Sequence, residues 1–328
     1  LSIRNFLRLF AHVQLLPVLE SGEETTLVGG QAVMEGVMMR APHSYCVAVR
    51  KANGELVTEE APLQKVSEKY PIFKLPVLRG LGILGQAMGL GFKALAFSAN
   101  AMVEESDPAG KEKPTQISSW AMGLNLAFSL LFFLFLYKFV PLFLATQIGN
   151  HVPALHGRIA INLVDGVIRL AIFLAFLTSL SYMKDIRRVF EFHGAEHKVV
   201  FNFESGKPVN VRNAQEFQTF HPRCGTSFLI VVMLISLLSY AFLPIDGFAA
   251  KFAARILLLP VIVGLSYELI RYAARRPGSM LALLTAPGLW LQRVTTKPPS
   301  DDQAEVAIHA LNGAMELEKS QGGQLVIA

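Results

Sequence analysis

Residues 191–201 read Glu-Phe-His-Gly-Ala-Glu-His-Lys-Val-Val-Phe, which brings His193, Glu196 and His197 within one short stretch. In a helix, positions four apart share a face, so the two imidazoles lie side by side. Two imidazoles at that spacing can hold one divalent ion, zinc before others. Glu196 lies beside that face, where it can orient a metal-bound water or take its proton. An ion held there needs further donors. Phe-His-Pro-Arg-Cys-Gly-Thr-Ser-Phe at 220–228 offers His221 and Cys224, and Gly-Leu-Ser-Tyr-Glu-Leu-Ile-Arg at 264–271 offers Glu268. The opposing account is polar packing, with Glu196 paired to Arg187 or Arg188, Glu268 paired to Arg271, and the histidines capping a helix or meeting lipid headgroups.

The elements that must position these groups are largely apolar. The chain of 328 residues is 52% hydrophobic and 17% charged, against about 25% charged in soluble domains. The deficit is concentrated in four runs that approach the ~20 residues needed to span a bilayer: Ile117–Tyr137, Ile159–Met183, Gly225–Ile245 and about Lys251–Ala274. The second carries Asp165 and Arg169, four apart and able to pair. The apolar stretch Phe139–His156, with Pro141 and Pro153, reads as an extension of the first helix, and the two-histidine motif as an extension of the second. Segment 184–224 holds Lys184, Arg187, Arg188, Lys198, Lys207, Arg212 and Arg223, and the tail opens with Arg275 and Arg276. Excess Lys and Arg marks the cytoplasmic side. The motif and both termini are therefore expected at the cytoplasmic face of the inner membrane. The net charge of +5 suits orientation and anionic lipid, and nucleic acid is not expected as a partner. Cys46 and Cys224 lack CxxC spacing and indicate no disulfide framework.

The expected fold class is a mainly α membrane protein with about four transmembrane helices. Residues 1–74 form an N-terminal cytoplasmic region, with alternation around Asn53-Gly54 that predicts a β-hairpin. Residues 75–116 contain an interfacial helix, interrupted by Arg79 and Lys93, and a polar linker. Residues 117–275 form the membrane domain, and 276–328 a cytoplasmic tail in which Ser300 caps an amphipathic helix over 301–317. The basic and apolar residues of 1–10 read as a short surface helix. Gly-Gly-Gln-Ala-Val-Met-Glu-Gly-Val-Met-Met-Arg at 29–40 lacks phosphate-loop spacing and reads as a tight strand turn, from which Glu35 is within reach of the metal face. Cys46 and the methionines near it read as core. His151 and His156 read as far-side loop residues, and His309 as solvated.

Taken with these readings, "VGGQAVMEGVMMRAP", "FHGAEHKVVFNFESG", "FHPRCGTSFL" and "SYELIR" resemble the YqhQ-like family of bacterial and plastid multipass membrane proteins, from about residue 25 to 310. Members of that family are described as predicted metal-dependent enzymes. The resemblance marks Glu35, Arg40, His193, Glu196, His197, His221, Arg223, Cys224 and Glu268 as its motif positions and implies no substrate. Two functions stay open. One is a metal-dependent hydrolase acting on a membrane lipid, a lipid-linked compound or a surface peptide, with Glu196 as base. The other is a metal-stabilised scaffold or assembly factor for a partner complex. A transporter ranks behind both, because the donors lie at one face rather than at the midplane.

Overall fold

The computed structural model describes residues 28–106, 119–221, 224–274 and 286–320. The expected surface helix at 1–10 and Arg223 lie outside the described residues. The alternation in the N-terminal region forms a four-stranded antiparallel meander in the order β1 (Gly29–Val33), β2 (Gly36–Arg40), β3 (Ser44–Arg50) and β4 (Leu56–Pro62). The predicted hairpin joins β3 to β4, with Arg50 opposite Leu56 and Gly54 at φ 87° in the turn, a backbone region open to glycine at little cost. Successive strand residues point to opposite faces, and both faces are covered. Val37, Met39, Cys46 and Ala48 pack with α5 (Lys184–Glu204) and α11 (Asp301–Ser320). Val33, Met38, Tyr45, Val47 and Val49 pack with Leu90, Ala94 and Ala101 of α1 (Leu78–Ser106). Cys46, Met38 and Met39 are thus core residues, as expected, while Met34 stands at the exposed turn.

Among the described residues, three helical segments are long and apolar enough to cross a membrane, or up to four if one bent pair counts as a single span. The first, Leu78–Met102, lies within α1, but its residues from Leu90 onward cover the sheet. The second is one continuous rod made of α2 (Ser119–Leu134), a π-helical turn (Phe135–Phe139) and α3 (Val140–His151). Its apolar span is Ala127–His151, displaced toward the C-terminus from the expected Ile117–Tyr137. The extension past Phe139 is helical, and Pro141 is accommodated at the first turn of α3, where its missing N–H does no harm. The third is α4 (Arg158–Ser181). The fourth expected run is not one straight helix: α8 (Phe248–Leu257) and the described run of α9 (Leu259–Ala274) meet at a 47° bend. Pro260, in the first turn of α9, cannot donate to the preceding turn and breaks the rod. Between α4 and α8, α7 (Gly225–Ala241) is apolar and shorter.

Two further expectations need correction. The two-histidine motif does not extend α4. The chain turns at Met183, which is extended at φ −72°, ψ 129°, and α5 starts afresh. The tail helix, whose narrow apolar stripe predicts a segment the membrane part can fold without, is packed into the body of the fold. Following α6 (Val211–Gln215) and α10 (Ala286–Thr295) in chain order, α11 buries Ala304, Val306, Ala307, Ala310, Leu311 and Ala314 against the sheet and α5. Ser300 does cap it: Ser300 Oγ accepts from Gln303 N, and Gln303 Oε1 accepts from Ser300 N at 2.9 Å, a reciprocal capping box. His309 is exposed on the outer face.

Candidate metal centre

The second half of α5 is buried almost all round, from Gly194 to Asn202. It can lie this deep because its polar side chains find partners. Lys198 Nζ donates to the Gln215 and Phe217 carbonyls at 2.8 and 2.6 Å, and burial lowers its pKa. Gly194 lets α5 touch the main chain at Lys297, whose carbonyl occupies the space a Cβ would need. Lys297 N in turn donates to Phe190 O at 2.9 Å.

On this helix the histidine rings lie with centroids 4.5 Å apart. His193 Nδ1 lies 2.9 Å from the Thr295 carbonyl, and His197 Nδ1 2.5 Å from the Thr219 carbonyl. A carbonyl only accepts, so each Nδ1 carries the proton and each Nε2 presents its lone pair. This backbone support of the distal nitrogen is how metal-binding histidines are commonly oriented. Cys224, the residue before α7, brings Sγ to 3.2 Å from His193 Nε2. One donor atom from each of His193, His197 and Cys224 lies within 4.8 Å of the others. Two imidazoles and a thiol suit zinc among divalent ions.

Glu196 is 6% exposed, with Oε2 3.4 Å from His197 Nε2, at the side of the cluster where the lone pair points. His221 is buried nearby, its ring centroid 5.6 Å from that of His197 and its Nε2 3.5 Å from Glu204 Oε2. Burial pushes the His221 pKa down to about 4, against an upward pull from Glu196, so the ring is neutral near pH 7. His221 therefore borders the cluster but is not one of its three converging donors.

The other motif residues are elsewhere. Glu268 does not reach the cluster: its carboxylate takes both Arg79 Nε, at 2.6 Å, and Arg79 Nη2, and accepts from Val77 N at 3.2 Å. The physical reason is that α1 starts beside α9 and delivers a guanidinium that pairs with the carboxylate. Glu35 sits at a positive φ of 52° in the β1–β2 turn and holds Arg188 through both carboxylate oxygens, one turn ahead of the histidines. It braces α5 and supplies no donor. Burial lowers the Arg40 pKa, and Arg40 stays outside the cluster.

Several supporting residues carry no signature in the sequence. Thr219 and Thr295 act through main-chain carbonyls, which any residue type provides. Gln292 holds the main chain of His221 at both ends, accepting from its N–H at 2.7 Å and donating to its carbonyl at 2.8 Å. Glu204, seven positions after His197, was open to detection by helical spacing. The third chain region at the centre is thus 286–297 rather than the stretch around Glu268.

Residues 75–317 match the family described as protein of unknown function, DUF1385. The chain is similar to the uncharacterized protein YqhQ of Bacillus subtilis (strain 168), with 35% identity over 298 residues, which cover 88% of this chain and 92% of that protein. No solved structure matches it. The chain belongs to the DUF1385 family.

Proposed function

We propose that this DUF1385 protein is a membrane-bound metal-dependent hydrolase, with a divalent ion, zinc by its donor set, held by His193, His197 and Cys224, and Glu196 as general base. One observation carries the reading: the Thr295 and Thr219 carbonyls fix both Nδ1–H groups and leave both Nε2 atoms facing Cys224 Sγ. Three protein donors leave a fourth position open, as in catalytic zinc sites. An ion bound there would supply an activated water. Glu196 would take the proton of that water as its oxygen attacks the substrate, and pass it to the leaving group as the scissile bond breaks. Gln292 and Thr219 hold the surrounding chain so that this geometry survives each turnover. The substrate would be a membrane lipid, a lipid-linked compound or a surface peptide, because Cys224 directly precedes the apolar helix α7.

The placement we assign is the cytoplasmic face of the inner membrane. It is supported by the basic residues of 184–224 and by the packing of the sheet, α5 and α11 into one body. A second reading draws on burial, since His197 is 2% and Glu196 6% exposed. Under it the ion closes its shell with a fourth protein ligand, pins α5 to α7 and α10, and shapes a docking surface for a partner complex.

Metal analysis and X-ray absorption on the purified protein separate the two by ligand count. His197→Ala is expected to lose the metal. Glu196→Gln keeps size and ligands, so metal should stay while hydrolysis falls about 10²- to 10⁴-fold. Full metal occupancy in His197→Ala would place the site elsewhere. Loss of metal in Glu196→Gln equal to that in His197→Ala would make Glu196 a ligand and favour the scaffold.

A further inference from the structure

The apolar segments enclose a second polar cluster, remote in sequence from the metal centre. Arg169 of α4 and Arg255 of α8 are 4% and 1% exposed, and both reach the same carboxylate, Asp165, itself 1% exposed. Arg255 also donates to Asn162 Oδ1 at 2.7 Å, and Arg169 to Ser236 Oγ at 3.0 Å. Lys138, 6% exposed, donates to Tyr240 Oη at 3.3 Å. The three cations surround one ring, with Lys138 Nζ, Arg169 Cζ and Arg255 Cζ at 5.4, 5.3 and 5.1 Å from the Tyr240 centroid.

The charges do not balance. A guanidinium stays protonated in proteins, so two fixed positive charges share one carboxylate whatever the state of Lys138. Ring faces attract cations but do not neutralise them. A charge buried among apolar helices is costly unless paired, and in membrane segments it marks a functional site by default. The Nε atom of Arg169 is buried and has no hydrogen-bond partner. Two irregularities of the helices adjoin the cluster. Lys138 lies in the π-helical turn, a feature frequent at functional sites. Arg255 lies one turn before the bend between α8 and α9. A cavity of about 10 Å³ opens beside Arg255, lined also by Asn162, Tyr240, Lys251, Leu243 and Ile245. That is room for about one water-sized particle.

We propose that this cluster binds a small monovalent anion of the halide class, chloride being the available one, seated between Arg255 and Lys251. The anion supplies the missing negative charge and ties the outer halves of α4, α7 and α8 together. The cavity size selects a monatomic ion over a phosphate group or an organic acid. The site is independent of the metal centre and of hydrolysis.

The test is thermal unfolding of the full chain in detergent, at constant ionic strength, with chloride or bromide replacing gluconate. A ligand that binds only the folded state raises Tm in a saturable way. Chloride and bromide are expected to do so in the millimolar range. Lys251→Met, which leaves the Asp165 pairs intact, should raise the half-saturating halide concentration about tenfold. Bromide should appear by anomalous scattering beside Arg255. Equal Tm in chloride and gluconate overturns the proposal. So does a halide response that Lys251→Met leaves unchanged, since the ion would then sit elsewhere. Stronger stabilisation by phosphate than by chloride at equal millimolar concentration would overturn the ligand class.

Discussion

Gly194 separates the two histidines by more than spacing. A Cβ there would meet the Lys297 carbonyl and, at 3.3 Å, the Thr219 side chain. Thr219 also supplies the carbonyl that orients His197, so α5 and both metal-orienting strands of chain meet at this glycine. Gly194→Ala should force the helix outward. A cost of about 1–3 kcal/mol is expected from overpacking, seen as a lower Tm, together with weaker metal retention than in the wild type. An unchanged Tm would show that the segment around Lys297 yields freely. The histidine pair was legible because helical periodicity alone puts His193 and His197 on one face. Its orientation by Thr295 and Thr219 was not, because a carbonyl leaves no trace in residue type. Glu268 misled for a related reason. Sequence gives a residue's height along a helix but not its neighbour, and its neighbour is Arg79, at the far end of a segment that reads as interfacial.

At the scale of elements, α11 shows how a narrow stripe of alanines can be central rather than weak. Small residues bring the helix close to the sheet: a Cβ at Gly313 would meet Glu60 Oε1 at 2.5 Å and Cys46 Sγ at 2.8 Å. Judged by hydropathy, such a face looks too poor to bury, although its boundaries and its cap at Ser300 were readable. Removing residues 300–328 would take away Val306, Ile308 and Leu311 and uncover the sheet face they cover. At about 1.5–3 kcal/mol per buried aliphatic side chain, that loss matches much of a domain's total stability. Such a truncation should leave the sheet and α5 sensitive to limited proteolysis. The same helix sets a pH dependence. Burial raises the Glu318 pKa, but hydrogen bonds from the His43 side chain and main chain and from Ser44 outweigh it and hold the carboxyl below its usual value. A carboxyl depressed in the folded state contributes stability above its unfolded pKa and loses it as pH falls through the folded one. Glu318→Gln should therefore cost stability at pH 7, and the gap to the wild type in urea unfolding should narrow as pH drops below about 4.5.

For the whole molecule, the sheet, α5 and α11 form one body, with α1 laid across the other sheet face. This body contains the N-terminal strands, the basic segment 184–224 and the C-terminal helix, so all three lie on the same side of any membrane that the remaining helices cross. With α1 held against the sheet and the shorter apolar α7 taken as a crossing, the placement proposed above has four crossings, the α2–α3 rod, α4, α7 and the bent α8–α9 pair, an even set that would return the chain to its starting side. At 17 residues, α7 is only about 25 Å long, so as a crossing it would run with little tilt or where the bilayer thins. Under the proposed placement, excess Lys and Arg would put that side in the cytoplasm. In intact cells, a cysteine replacing the exposed Lys207 should resist an impermeant maleimide and react only once the membrane is opened. A cysteine replacing Ala154, in the turn between α3 and α4, should react from outside without lysis. Reaction of the Lys207 replacement from outside would invert the orientation and move the metal centre with it. Reaction of both positions from outside would show that α4, the apolar helix between them, does not cross.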